Sequence, residues 1–410
     1  MTAPQAVTGR APAATPCTAH TAPLPGGLVA ALRPLDPAAP WIGAWDRLGA
    51  RAAIANPFYE ANYALAAGPA FGAGVRVMLI ADRPPEEPGA RLLAAWPHRR
   101  LRQRWGVPLP VLMGWTHGYA PQGAPLLDGD DPAAALAALL AAPRALGEPA
   151  RLLFPNSPLA DLSPLIEATG ARTAAYWPHI RGMLDPGTYT SEGRRTYLDH
   201  LSGNRRRRLR RARRRLEAKG PVSFDLVSDP ESVSAALEAH IALEAASWKG
   251  RVGTAIAQNP AEAEFLRKAI ASLAAEGRVR IARLRQGERL LASAVLPLAG
   301  REACVLKVAH DESDPAAAPG VQLVHRLTET VLAGVDIARI DSCAPPGFAL
   351  ATLFWQERRA IAHLLVEAGR DPLFPAAARL ERGRETLARL KVAIKERRSG
   401  APIQSSDSVE

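Results

Sequence analysis

The chain has 410 residues, of which 48% are hydrophobic and 22% charged, so we expect a folded protein of two or three domains rather than a disordered one. Lys and Arg outnumber Asp and Glu by 51 to 40, for a formal net charge of +11. Between Leu201 and Gly220 there are ten basic residues and one acid, so nine of the eleven excess positive charges lie there. The charge is therefore one local feature, and it does not indicate a nucleic-acid-binding surface over the whole chain.

The cysteines, the apolar runs and the first residues of the chain indicate the cellular compartment to expect. Cys17, Cys304 and Cys343 are too few and too widely spaced for a disulfide framework or a paired zinc pattern, so we expect a reducing cytoplasm and no metal. The longest uncharged apolar run, residues 133–142, is far shorter than the ~20 residues that span a bilayer. Residues 1–27 contain no acid and are rich in Ala, Pro and Thr, which favours a disordered leader over a secretory signal.

The first half predicts alternating strands and helices, from short apolar runs and from helix-start signals such as Asp131-Pro132. In chain order these are a helix at 41–55, strands at 75–81, 92–96 and 111–115, a helix at 131–142, a strand at 151–154 and a helix at 162–169. This alternation is typical of a mixed α/β domain, which we expect at residues 28–190.

A basic helix is predicted at residues 194–219, ended by Gly220-Pro221, within a linker at residues 191–220. At 100° per residue its apolar side chains form one narrow stripe, and Arg205 and Arg208 fall inside that stripe. Because an unpaired buried charge is costly, we expect these two arginines to face the interface between the halves and to bind an anion there. Most of the other arginines are expected to be ordinary solvated charges.

The second half repeats the α/β pattern and is expected to form a domain at residues 221–370, followed by a charged helix and polar tail at 371–410. Its predicted elements are a strand at 222–227, helices at 230–247 and 261–276, strands at 278–284, 289–296 and 303–309, a helix at 320–333, a strand at 337–342, a helix at 348–359, a strand or helix at 361–366 and a helix at 375–398. The similar order of elements in the two halves favours two related domains in tandem.

One loop of the second half has the chemistry of a phosphate site. Pro319-Gly320-Val321-Gln322 begins the helix predicted after the strand at 303–309. A helix N-terminus offers free N–H donors and about half a positive charge, which suits phosphate oxygens, and glycine lets the backbone approach closely. The alternative is a plain proline–glycine turn before a helix.

The order of elements in the second half, with this loop before its helix, resembles the GNAT superfamily of acyl-CoA N-acyltransferases. Residues 244–255 and 341–347, the basic window before them, and Trp355 with residues 357–359 are similar to GNAT-like proteins grouped with the cellulose-biosynthesis protein CelD. The resemblance covers roughly residues 40–365. It implies a mixed-sheet α/β fold of tandem GNAT-like domains related to the Fem-type peptidoglycan aminoacyltransferases. The loop departs from the common GNAT signature Q/R-x-x-G-x-G/A by having a single glycine.

The resemblance also implies a co-substrate, acetyl-CoA or another acyl-CoA, with its phosphates at residues 319–322 and at Arg205 and Arg208. Glu244, near the end of a predicted helix, is a candidate general base for the acceptor, or else half of a solvated ion pair with Lys249. Trp248 could line a substrate channel with Lys249, or could be a buried aromatic.

Two further candidate positions lie at predicted strand ends. His310 is a possible acid or base because its ordinary pKa is near ~6.5, the alternative being a capping or surface histidine. Asp341 could orient a substrate amine, with Ser342 beside it, because α/β folds tend to place ligands at strand ends. Cys343 is not expected to be a nucleophile, since GNAT enzymes transfer the acyl group directly and no histidine partner is evident.

These observations predict an acyltransferase that moves an acyl group from a thioester to an amine or hydroxyl of a small molecule or glycan, such as a polysaccharide or amino-sugar precursor. The first alternative is a Fem-type transferase that uses aminoacyl-tRNA, whose phosphates the basic helix would suit. The second is a non-catalytic GNAT-like module that binds RNA or a partner through that helix. The arginine run lacks the interleaved aromatics that stack bases, so nucleic acid is the less favoured partner.

Overall fold

The computed structural model describes residues 20–189, 197–345 and 353–399. They form a mixed α/β fold around one 15-stranded sheet, which confirms the predicted fold class. In the described part of the chain no helix is both long and apolar enough to cross a membrane.

The strands follow the apolar runs of the sequence; residues 75–81, for example, form a strand over the predicted bounds. In chain order the strands are β1 (His20–Pro23), β2 (Val29–Pro34), β3 (Val75–Ala81), β4 (Leu92–Leu101), β5 (Val111–Gly114), β6 (Leu126–Leu127), β7 (Arg151–Pro158), β8 (Thr173–Leu184), β9 (Val222–Val227), β10 (Val279–Gln286), β11 (Arg289–Ala299), β12 (Glu302–Cys304), β13 (Lys307–His310), β14 (Arg339–Asp341) and β15 (Glu357–Glu367).

The helices begin where short polar side chains satisfy free N–H groups, as where Asp131 accepts from the Ala134 N–H at 2.9 Å and Asp229 from the Ser232 N–H at 2.8 Å. In chain order they are α1 (Ile42–Gly49), α2 (Ala61–Phe71), α3 (Pro132–Ala145), α4 (Leu159–Ala168), α5 (Gly203–Glu217), α6 (Pro230–Ala246), α7 (Trp248–Arg251), α8 (Pro260–Ala275), α9 (Pro319–Leu332) and α10 (Phe374–Ser399).

Each half contains the same unit, a pair of parallel neighbouring strands joined by a helix. In the first half β5 and β7 are parallel with α3 between them along the chain. In the second half β12 and β14 are parallel with α9 between them. The other strand pairs are antiparallel, so the two units mark equivalent places in the two halves.

The halves share one sheet because a late strand returns to the first half. β15 pairs with β7 on one side and with β8 on the other, and the end of β8 pairs with β14 of the second half. The long strand β8 has no counterpart in the sequence-based prediction, since polar and charged residues interrupt its apolar positions. Helix α2 of the first half also packs against α8 of the second, so the halves meet through sheet and helices.

Three segments differ from the sequence-based expectation. The disordered leader was expected to reach residue 27, but β1 begins at His20 and pairs with β2; residues 1–19 lie outside the described residues. The helix expected at 348–359 falls partly outside them, and its last residues begin β15 instead. The basic helix begins at Gly203, because the Ser202 side chain accepts from the Arg205 N–H.

Candidate functional site

The central strand of the second half is broken where a continuous strand was predicted at 303–309. β12 pairs with β14, and this pairing ends where the Val305 N–H donates to the Asp341 carbonyl at 2.9 Å. The Leu306 N–H then turns to the Val295 carbonyl at 2.9 Å, and β13 pairs with β11. Within the described ranges β13 has no strand on its other edge. β13 and the end of β14 are therefore not paired with each other, and one backbone edge of β13 carries no described strand.

The N-terminus of α9 lies beside the end of β13 and, among the described residues, has no acid in its first turn. Ala318 takes a left-handed conformation (φ 43°), no side chain caps the helix, and no acid lies in its first turn. The nearest acid upstream, Asp314, is neutralised by Arg215 at 2.8 Å and Lys219 at 2.6 Å. The helix dipole and free N–H groups can therefore act on a ligand.

The predicted phosphate-loop residues meet His310 at this point. A Cβ at Gly320 would lie 3.4 Å from Nδ1 of His310, so the end of β13 touches the start of α9. Pro319 and Gly320 are buried and Val321 is half-buried. The Gln322 side chain is buried as well, and its Nε2 donates to the Leu209 carbonyl of α5 at 3.0 Å. Gln322 thus ties the basic helix to α9.

A second group, on the α6 side, surrounds Glu244, whose side chain is fully buried. Its Oε1 lies 2.7 Å from Nζ of Lys249 and 3.7 Å from Nζ of Lys307. Its Oε2 accepts from the Ile256 N–H at 2.9 Å. Burial alone would raise the pKa of Glu244, but the two lysines and this N–H outweigh it and lower the pKa. The carboxylate is thus a held anion, and the solvated ion pair considered from the sequence is wrong because the pair lies inside the fold.

Trp248 begins the short helix α7 next to this group. Its backbone N–H donates to Oε2 of Glu312 at 3.1 Å, and Arg251 binds the same oxygen at 2.7 Å. The Trp248 side chain is 44% exposed, so the buried-aromatic alternative is wrong. A Cβ at Gly250 would lie 1.8 Å from the Ala245 carbonyl oxygen, and only glycine permits this turn.

Asp341 is held in a separate ion network. Arg181 binds both of its oxygens at 2.6 Å, and Arg359 binds Oδ2 at 2.9 Å. The Cys343 N–H donates to Oδ1 at 2.8 Å, and the side chain is fully buried. Burial would raise the pKa of Asp341, and the two arginines outweigh it. The network ties β8, β14 and β15 together.

Ser342, also buried, donates its N–H to the Gly182 carbonyl of β8 at 3.1 Å. The contacts of Asp341 and Ser342 are therefore with the sheet. Among the described residues neither makes a hydrogen bond or ion pair to Glu244, Lys249 or His310.

The expectation that burial would force Arg205 and Arg208 to take an anion is wrong, because both residues are exposed. The helix begins at Gly203, so Leu201 precedes it and the buried face consists of Ala212 and Leu216, with Leu209 half-buried. The first turns of α5 have no such cover, which leaves their charges in solvent.

Sequence reasoning missed Lys307 and Tyr119. Nζ of Lys307 lies 4.6 Å from the centre of the Tyr119 ring, which belongs to the first half. The Tyr119 hydroxyl donates to Oε2 of Glu262 in α8 at 2.6 Å. One signal was present: the chain has only six lysines, and Lys249 and Lys307 meet at one carboxylate. Among the described residues no cluster of His, Cys, Asp or Glu could hold a metal ion.

Comparison with known proteins bears on this geometry. Residues 203–345 match a family described as an acetyltransferase (GNAT) domain, and no curated protein matches the chain. The solved structure of FemX is similar at 10% identity, over 82% of this chain and 98% of that chain, with a TM-score of 0.51. At that identity the likeness concerns the fold alone.

Two other solved structures are similar at lower TM-scores. L-PGS from Bacillus licheniformis has 15% identity over 70% of this chain and 84% of that chain, with a TM-score of 0.42. A tandem GNAT protein from the clavulanic acid biosynthesis pathway has 11% identity over 84% and 99%, with a TM-score of 0.34. The matched residues 203–345 contain β13, α9 and the Glu244 group. Residues 203–345 are therefore similar to an acetyltransferase (GNAT) domain, and this match supports an acyltransferase.

Proposed function

We propose that the protein transfers an acyl group from acetyl-CoA or another acyl-CoA directly to an amine or hydroxyl of a small-molecule or glycan acceptor, such as a polysaccharide or amino-sugar precursor. The observation that carries the proposal is the open edge of β13 beside the uncapped N-terminus of α9. The similarity of residues 244–255 and 341–347 to the CelD-like group supports a glycan-related acceptor.

The residues present fit the phosphates of a CoA thioester. The backbone N–H groups of Gly320 and Val321 are in the first turn of α9, where no side chain caps the helix, and such groups bind phosphate oxygens. Arg215 and Lys219 offset the charge of Asp314 in the preceding loop. Arg205 and Arg208 of α5 add positive charge that attracts an anion before it binds.

The edge of β13 suits the reacting carbonyl, since backbone N–H groups aimed at a developing oxyanion stabilise acyl transfer. Proton removal from the acceptor is assigned to His310, at the end of the same strand and in contact with Gly320. Glu244 is given a different role, because Lys249 and the Ile256 N–H already occupy its oxygens. It holds the ammonium groups of Lys249 and Lys307 in place.

A thermal-shift series with acetyl-CoA, CoA and bulk tRNA at several salt concentrations tests this function. Ligand at 100 times its Kd stabilises the folded state by about 2.7 kcal/mol, so acetyl-CoA and CoA should both raise the Tm. The variant Val321→Asp, which puts a carboxylate in the first turn of α9, should lose this shift. Ala261→Asp in the first turn of α8 is the control, because an acid at either position favours its own helix. No shift with any CoA thioester at about 100 μM would remove the proposal.

A second candidate is transfer from aminoacyl-tRNA, as in the Fem-type enzymes that the sequence resembles. One observation favours it: Arg205, Arg210, Arg211 and Arg214 are exposed and make no ion pair with any described residue. Binding to tRNA would raise the Tm at low salt and lose that effect steeply as salt increases. Stabilisation by tRNA without any by CoA would favour this candidate, or a non-catalytic RNA-binding module if no transfer accompanies it.

A further inference from the structure

The last helix, α10, packs against the rest of the fold only through its first turns. Phe374, Ala377, Glu381 and Glu385 are buried, at the three- and four-residue spacing of one helix face. Residues 389–394 are all exposed, so the described part of the chain covers no face of the helix there. A helix segment without packing is only marginally stable in water, and contact with a partner would therefore stabilise this end.

The same end of α10 holds the largest group of exposed apolar side chains in the described ranges. Nine large apolar side chains are exposed there, and four of the nine lie within residues 387–394. Leu387, Leu390 and Ile394 are 61%, 53% and 49% exposed. At 100° per residue these three lie within about 60° of one another and roughly opposite the buried Glu385. They form an apolar stripe that faces away from the body of the protein.

Positive charge accompanies the apolar stripe. Residues 386–399 contain five Lys or Arg and a single acid, Glu396. Arg389 is already paired with Glu385 at 2.6 Å, so an excess of three positive charges remains over these residues. Lys391, next to the stripe, is exposed. An exposed apolar stripe with basic residues around it is typical of a helix that lies on an anionic membrane surface.

Charge also distinguishes a membrane from the partners that the chain itself could supply. A second copy would bring the same excess of positive charge to the stripe. It would offer no acid beside the stripe, since Glu396 falls on the opposite side of the helix. Residues 1–19 contain no acid either. An anionic lipid surface supplies what both of these lack, because its headgroups are negative and its acyl chains are apolar.

We propose that the exposed end of α10 docks onto the surface of an anionic lipid membrane. Leu387, Leu390 and Ile394 insert at the boundary between headgroups and acyl chains, and Lys391 with the other basic residues of this end binds the headgroups. The buried first turns of α10 keep the rest of the protein attached to the docked end. The proposal concerns a surface outside residues 203–345 and does not depend on the proposed acyl transfer.

The test is co-sedimentation of the full-length protein with two kinds of vesicle, phosphatidylcholine alone and phosphatidylcholine with about 30% phosphatidylglycerol. The wild type is expected to bind the mixed vesicles and not the neutral ones, and less tightly as salt increases. The double variant Leu387→Gln/Leu390→Gln should bind about tenfold more weakly, because two apolar side chains lose their burial in lipid. Lys391→Gln should bind about fivefold more weakly.

Two matched controls lie elsewhere on the surface. Val252→Gln changes an apolar side chain that is 60% exposed, and Lys268→Gln changes an exposed lysine of α8. Both should bind the mixed vesicles as the wild type does. All these variants should also unfold at the temperature of the wild type, because the side chains that they change are exposed.

Three results would overturn the proposal. The first is equal binding to both kinds of vesicle, or binding to neither. The second is an unchanged affinity in Leu387→Gln/Leu390→Gln, which would show that the arginines of α5 adsorb the protein instead. The third is a dimer in sedimentation velocity without lipid that the double variant dissociates, since a second copy would then cover the stripe.

Discussion

Nζ of Lys249 lies 2.7 Å from Oε1 of Glu244, and the Glu244 side chain is fully buried. The two residues are five positions apart, and Ser247, which caps the start of α7, lies between them. The pair thus fixes the start of α7, and with it Trp248, against the end of α6. A carboxylate held in this way positions its neighbours rather than exchanging protons with a ligand.

Replacing Glu244 by Gln removes the counter-charge of Lys249 and Lys307. Breaking a buried pair by removing one partner costs about 3–5 kcal/mol, and the partial exposure of the lysines places the expected loss at the lower end, near 3 kcal/mol. Urea unfolding measures it. Glu264→Gln, which breaks only the exposed pair with Lys268, should cost under about 0.5 kcal/mol. If Glu244→Gln and Glu264→Gln lose the same amount of unfolding free energy, Glu244 is not a buried charged group.

His240 predicts a loss of stability in mild acid. Its ring is fully buried beside Glu244, Lys249 and Lys307, with no hydrogen-bond partner for either nitrogen among the described residues. Burial lowers its pKa to about 4, whereas an unfolded histidine titrates near ~6.5. Between these two pKa values the unfolded chain binds a proton that the folded protein does not bind. The free energy of unfolding therefore falls as the pH drops from about 6.5 to about 4.

The variant His240→Leu should remove the part of the pH dependence of stability that His240 causes. The difference in unfolding free energy between pH 7 and pH 5 should shrink by about 2 kcal/mol, from ~1.4 kcal/mol per pH unit and bound proton. Urea titrations at the two pH values provide the measurement. His200→Leu, at an exposed histidine, should leave the difference in place. If His240→Leu also leaves it unchanged, His240 is protonated in both states or in neither.

Asp341 is expected to be structural. Asp341→Asn leaves Arg181 and Arg359 buried with less negative charge, and a loss of about 3–5 kcal/mol in unfolding free energy should follow. Asp336→Asn, at an exposed pair with Arg301, should cost under about 1 kcal/mol. The stabilisation of folded Asp341→Asn by acetyl-CoA should match the wild type. A stable variant with impaired transfer would instead support the role in substrate orientation.

The basic helix allows a test by position. Arg208 lies on the same side of α5 as Arg215 and Lys219, which reach the loop before α9. Charge reversal at Arg205 and Arg208 should weaken acyl-CoA binding by roughly three- to tenfold at low salt, with a smaller effect at high salt, since exposed charges are screened. Isothermal titration measures the affinity. Reversal at Arg207 and Arg210 should have little effect, and equal losses from both pairs would show that only the total charge matters.

Much of the fold was predictable because its elements carry local signals. The strand at 75–81 is a continuous apolar run, and Asp131 and Asp229 cap their helices through their own side chains. The loop at 319–322 was predictable as a helix start because proline is favoured in the first turn of a helix. β8 was not, because it is stabilised by pairing with β15 and β14, far along the chain.

The candidate site was predictable in part. Glu244, Lys249 and Trp248 lie close together in the sequence and also in the fold. The contact of His310 with Gly320 depends on how β13 meets α9. Arg205 and Arg208 share the face of Ala212 and Leu216, but they are exposed because the rest of the fold covers only the later turns of α5, which the sequence does not show.

The sequence by itself determined the mixture of strands and helices, the single basic helix and the helix start at Pro319-Gly320, since capping, propensity and apolar periodicity act over a few residues. Only the tertiary structure decided where the central strand breaks at Val305 and Leu306, that β15 completes the first half, and that Lys307 meets Tyr119 and Glu244. These outcomes come from strand pairing, burial and charge compensation between distant segments. These interactions form only when distant segments come together in the fold, so a pattern of neighbouring residues does not predict them.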